Sequence, residues 1–106
     1  MTVVALLSVA PVIEDSMASE VAAAVEALEA FDVSYETNSM GTVIEADDID
    51  TLLAAVGAAH KAVDADRVST FLKIDYKRAR DERAREKVDA VERELRLRDY
   101  DLLLPV

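Results

Sequence analysis

The spacing of apolar residues changes period along the chain, and each change marks an element. Residues 3–10 are apolar on both alternating faces: Val3, Ala5, Leu7 and Val9 on one, Val4, Leu6 and Ala10 on the other. A strand of that kind lies inside a sheet with both faces covered, and Pro11 is expected to end its ladder. Met17, Val21, Ala24, Val25 and Leu28 then recur at helical spacing, with Ser16 or Asp15 as cap and Phe31–Asp32 as the close. Residues 33–38 and 42–46 alternate around Asn38-Ser39-Met40-Gly41, which reads as a hairpin.

Asp47 or Asp48 caps a second helix with the stripe Ile49, Leu52, Leu53, Val56, His60 and Val63. Gly57 inside it costs up to about 1 kcal/mol against Ala. Residues 67–76 alternate once more. A last helix is predicted over residues 80–97, with Ala84, Val88, Val91 and Leu95 as its stripe. The tail ends in the apolar run 102–106, which is expected to pack on something.

The order β-α-β-β-α-β plus a final helix predicts an α+β fold: a ferredoxin-like sandwich with a four-stranded antiparallel sheet and a C-terminal helix. At 106 residues it is expected to form one domain, 1–106. Two helices cover one sheet face. The other presents Val4, Leu6, Ala10 and Phe71 if the helices take the odd positions of the first strand. A bare apolar sheet face marks an interface, so sheet-to-sheet packing between identical subunits is expected. The alternative is that the last helix and tail fold back over that face within one chain.

Charge narrows the functions. Twelve basic against twenty-two acidic residues give a net charge of −10, the wrong sign for generic nucleic-acid binding. The balance is uneven: residues 1–66 carry thirteen acids and only Lys61, whereas residues 67–106 carry nine acids and eleven bases. Few Lys, many Asp and many Ala fit a protein hydrated in concentrated salt, and equally an ordinary acidic protein. The apolar run 3–13 is shorter than the roughly twenty residues a span needs. No base precedes Lys61, so no signal peptide is read there, and a cytoplasmic protein is expected. The absence of cysteine removes disulfides, thiolate metal sites and a cysteine nucleophile.

The catalytic inventory is thin. His60 is the only histidine and is read as a core residue bonded to a neighbour. The serines lack the nucleophile-elbow context, and two glycines cannot build a phosphate loop. Glu14–Asp15 and Asp47–Asp48–Asp50 lie where helices begin, which capping explains without a metal. Lys77, Arg78, Arg80, Arg83, Arg85 and Lys87 alternate with Asp81, Glu82 and Glu86, as on a solvated, ion-paired helix face or one pairing with the acidic half of another subunit.

The distinctive stretch is Tyr35-Glu36-Thr37-Asn38-Ser39-Met40-Gly41-Thr42-Val43-Ile44-Glu45. Asn38 and Thr42 offer donors and acceptors for a heteroaromatic ring edge, Met40 a soft contact surface, and Gly41 close approach of a ligand to the backbone. Glu36 or Glu45, and Tyr35 or Phe71, are candidates to hold a cation. Read from residues alone, the stretch serves either as a plain hairpin or as a binding loop.

This segment is similar to the Y-E-x-x-x-M-G-T-x-I-E stretch of the YkoF-like thiamine-binding family. The resemblance extends through Val9-Ala10-Pro11, Val21-Ala22-Ala23-Ala24-Val25, Ala58-Ala59-His60, Arg67-Val68-Ser69-Thr70 and Lys73-Ile74-Asp75, over about residues 1–80. It implies a ferredoxin-like subunit assembling through its sheets into dimers or tetramers. It also implies a site for thiamine or its hydroxymethylpyrimidine half, no catalysis and no cofactor, with Asn38, Met40, Gly41, Thr42 and Glu45 in the ligand region. Two departures are Ala46, where Gly is common, and the loop Val12-Ile13-Glu14-Asp15, which lacks the Gly-rich form. The competing expectations are a structural or protein-interaction oligomer without a ligand, and an acylphosphatase-like enzyme. The enzyme would need an arginine after the first strand, where the chain has Glu14 and Asp15 instead.

Overall fold

The computed structural model describes residues 2–78 and 83–98. Its central strand is β1 (Thr2–Pro11), flanked by β3 (Gly41–Ala46) and β4 (Val68–Lys77), with β2 (Val33–Asn38) at the edge beside β3. All pairings are antiparallel, in the order β2-β3-β1-β4. This is the ferredoxin-like arrangement. β1, which is apolar on both faces, has a strand along each edge. Pro11 still stands opposite Val68, and the Val12 N–H donates to the Arg67 carbonyl at 2.8 Å, so the ladder runs one residue past the expected end.

One sheet face carries the core. Val3, Ala5, Leu7 and Val9 of β1 and Thr42, Ile44 and Ala46 of β3 are buried there under α1 (Ala18–Ala27) and α2 (Ile49–Ala62). A 3₁₀ turn, Leu28–Ala30, extends α1 and buries Leu28. In α1 the helix begins later than Ser16; its hydroxyl accepts the Ala18 N–H at 3.3 Å. In α2 the expected cap is Asp48, whose carboxylate accepts the Thr51 N–H at 2.7 Å and its hydroxyl at 2.9 Å. Those bonds hold the Asp48 carboxyl below its ordinary value.

The apolar stripe of α2 differs from the expected one. Leu52, Ala55, Val56 and Ala59 are buried, and Val63 beyond the helix with them. Leu53 and His60 are exposed. Alanines let the helix approach its neighbours closely, so the buried arc is centred on them rather than on the largest side chains. His60 is therefore no core residue, although it has the expected neighbour: its Nδ1 lies 2.6 Å from the Thr70 hydroxyl.

The opposite sheet face is not bare. Helix α3 (Ala84–Leu97) is fastened to it. Glu45, Val4 and Asp75 stand in one row across β3, β1 and β4. At one end of that row Glu45 accepts the Ala84 N–H at 2.5 Å and pairs with Arg83 at 3.4 Å. At the other end Asp75 pairs with Lys87. The expectation of an uncovered face thus gives way to partial cover by the same chain. Phe71, Val88 and Val91 remain exposed there. Within α3, Arg85 pairs with Asp89 at 2.9 Å and with Glu92 at 3.2 Å, acids further along the helix than those the charge pattern singled out. The expected start of this helix at Arg80, with Asp81 and Glu82, and the apolar tail 102–106 lie outside the described residues.

Candidate functional site

The hairpin between β2 and β3 turns on two residues, Ser39 and Met40, because Asn38 stands opposite Gly41 and Thr37 opposite Thr42. Asn38 shapes the turn itself: its Oδ1 accepts the Met40 N–H at 2.9 Å. Thr37 and Thr42 face the helix side, with hydroxyls 3.0 Å apart and Thr42 buried. In such a pair one hydroxyl donates to the other, which leaves one O–H proton free to turn elsewhere.

Gly41 has a role different from the expected one. Its φ is +155°, which L side chains rarely adopt, and a Cβ there would lie 2.8 Å from the Leu7 carbonyl oxygen. The close approach that glycine permits is made by β1 of the same chain. The hairpin is thereby pressed onto the central strand.

This packing leaves a cavity of about 180 Å³ at one end of the helix–sheet interface. Leu7 and Val9 of β1, and Met17, Val21, Ala24, Val25 and Leu28 on the helix side, line it. The hairpin residues 37–42 form another wall, and Ser8 and Ala10 of β1 complete the lining. Among the described residues, none that lines it is charged. Four of the sequence-derived site residues, Asn38, Met40, Gly41 and Thr42, therefore come together here.

Glu45 does not join them. It lies three positions along β3 from Thr42, roughly 10 Å at strand rise, and an odd offset turns it to the other face. There it caps α3. Neither do the candidate cation holders reach the cavity. Glu36 lines a second cleft of about 410 Å³ beneath α3, together with Ser34, Glu45, Arg85 and Val88. Phe71 is on that same sheet face, exposed. The Tyr35 hydroxyl donates to Glu29, and that bond, with burial, holds the phenol above its ordinary value.

Sequence reading missed Thr37 and the helix-side lining as parts of one cavity. The signal for Thr37 was present: a two-residue turn puts it opposite Thr42. Met17 and Leu28 read as core stripe, and only the packing of α1 across the end of β1 turns them into a wall.

The family described as thiamine-binding protein matches residues 5–92 of the chain. A UPF0045 protein of Methanothermobacter thermautotrophicus is 51% identical over 83 residues, covering 76% of this chain and 84% of that protein. A UPF0045 protein of Methanocaldococcus jannaschii is 38% identical over 92 residues, covering 84% of this chain and 91% of that one. The crystal structure of the latter aligns with a TM-score of 0.79 at 37% identity, over 86% of this chain and 96% of that chain. A Thermotoga maritima protein, named for a proposed role in thiamine biosynthesis or salvage, aligns with a TM-score of 0.75 over 86% of this chain and 99% of its own. At 23% identity that likeness shows the fold alone.

Proposed function

We propose a function on this premise: the chain belongs to the thiamine-binding protein family. It binds hydroxymethylpyrimidine, or thiamine through that half, as a non-catalytic homo-oligomer in the cytoplasm. The observation that carries the reading is the hairpin cavity, which joins Asn38, Met40, Gly41 and Thr42 to an apolar floor. A dry cavity of roughly 150 Å³ holds one benzene-sized ring, so a cavity of about 180 Å³ suits a single substituted ring. The uncharged lining favours the neutral pyrimidine over the cationic thiazolium, which would lack a counter-charge there. The free Thr37/Thr42 proton suits a ring nitrogen, and the Asn38 amide suits a ring acceptor. The loop after β1, with Glu14 and Asp15 and no base, supports a binding rather than a catalytic role.

Thermal unfolding in strong KCl, with and without hydroxymethylpyrimidine and thiamine, tests this. A ligand that binds the native state alone adds about 2.7 kcal/mol at a hundredfold excess over Kd. The expected result is a saturable rise in Tm that Thr42→Val abolishes. No rise at millimolar ligand, with the protein folded, sinks the assignment.

A second reading is a protein-interaction oligomer without a small ligand. The exposed Phe71, Val88 and Val91 beside α3 favour it. Light scattering separates the two when combined with the melt: both expect an assembly that Phe71→Asp weakens, and only the first expects a ligand-dependent Tm.

A further inference from the structure

The chain has three methionines, no cysteine and no tryptophan. Beyond Met1, both methionines line the hairpin cavity, Met17 from the start of α1 and Met40 from the turn. They come from different elements, and both reach solvent: Met17 is 43% and Met40 79% exposed. The remaining hairpin lining is hydroxyl, amide and glycine, so these thioethers are the soft, polarisable surface at the mouth. Val12 and Ile13, on the loop leading to α1, are also exposed.

We propose that Met17 and Met40 form an oxidisable gate, through which a hydroperoxide switches this cavity between a ligand-accepting and a ligand-excluding state. The location of the ligand rests on the reading above. The chemistry is oxygen transfer. A thioether lone pair attacks one peroxide oxygen, the O–O bond breaks, and an S–O bond forms. The sulfur gives up two electrons to the peroxide. The proton on the oxygen transferred to sulfur passes to the departing oxygen, which leaves as water from hydrogen peroxide or as an alcohol from an organic hydroperoxide. Exposure and thioether character make both sulfurs susceptible. The sulfoxide is polar and branched at the sulfur. It exchanges a soft apolar contact for a strong dipole that prefers water, which opposes closure over a ring and lowers affinity. Reversal by a thiol-dependent sulfoxide reductase restores the thioether.

The test treats the full chain with hydrogen peroxide and maps one added oxygen on each methionine by peptide mass. Binding of hydroxymethylpyrimidine is compared before and after treatment, in the natural chain and in Met17→Leu/Met40→Leu, each protein against its own untreated form. The expected result is an affinity loss of about tenfold or more in the natural chain, the size expected for one ill-placed polar group, and a treated-to-untreated ratio near one in the double variant. Unchanged affinity with both sulfurs oxidised overturns the gate. So does an equal loss in the double variant, and so does resistance of both methionines to peroxide. If untreated protein binds neither pyrimidine nor thiamine, the functional reading falls, and the gate is read with xenon. Xenon shifts of the Val25 and Leu28 methyl resonances that disappear on oxidation sustain it, and shifts that persist overturn it.

Discussion

The two faces of the sheet are held by different forces. On the α1–α2 face, Leu28, Ile44, Leu52 and Val3 are essentially inaccessible to solvent, and hydrophobic burial dominates. On the α3 face no helix residue is buried. The helix is fastened instead by polar contacts, from Glu45 to Ala84 and Arg83 and from Asp75 to Lys87. Thr42 and Glu45 show how near the two regimes lie in sequence. Three positions apart on β3, one lines the uncharged cavity and the other caps the charged helix. Burial builds a fixed wall to the hairpin cavity. A salt-linked helix, worth little per pair at the surface, is expected to open at lower free energy than the core.

The largest test of that contrast is truncation on each side. Leu28→Ala removes a buried side chain from the cavity wall and is expected to lower stability by about 2–5 kcal/mol. Val88→Ala on α3 is expected to stay within about 0.5 kcal/mol. Urea unfolding of both variants measures the ratio, and equal losses would erase the distinction. Next in size is Glu45→Ala, which removes the cap and the partner of Arg83. It is expected to ease opening of the first turn of α3 by about 1–2 kcal/mol. Amide exchange should accelerate there while β1 amides keep their protection; acceleration in both places would mean that α3 is part of the core.

A smaller effect of opposite sign comes from Gly57→Ala. A Cβ at Gly57 meets nothing within 4 Å, so the variant gains helix propensity of up to about 1 kcal/mol. A lower Tm would show that the helix side is tighter than its geometry implies. The smallest is confined to acid. Asp48 is held below its ordinary value by Thr51, so its contribution is present above the unfolded carboxylate pKa and is lost as pH falls through the folded value. Asp48→Asn keeps an acceptor at the cap and removes that titration. Its stability should fall less steeply in acid than that of the natural chain, and parallel pH profiles would count against the cap.

Much of this was legible in sequence. Alternation in residues 33–38 and 42–46 located the hairpin strands, and the pair Asp47–Asp48 announced the helix that Asp48 caps. The α2 stripe was misjudged because hydropathy weights Leu53 above Ala55 and Ala59, whereas close packing selects small residues. The candidate site was legible as a motif and not as a place. Asn38, Met40 and Thr42 are neighbours in the chain, so the turn alone keeps them together. Glu45 belongs to the same motif and was grouped with them, although the period of two in a strand turns it to the far face.

What the sequence by itself determined is the order of elements, the face that β1 offers to the helices, and the family, because these follow from local periodicity and residue identity. What only tertiary structure decided is which side chains surround empty space. Met17 and Leu28 become cavity wall because α1 crosses the end of β1. Gly41 is a packing contact because Leu7 lies against it, and Glu45 is a cap because α3 returns to the opposite face. Each of these depends on the distance between segments remote along the chain, and such distances are set by the packing of the whole core rather than by any one segment's pattern.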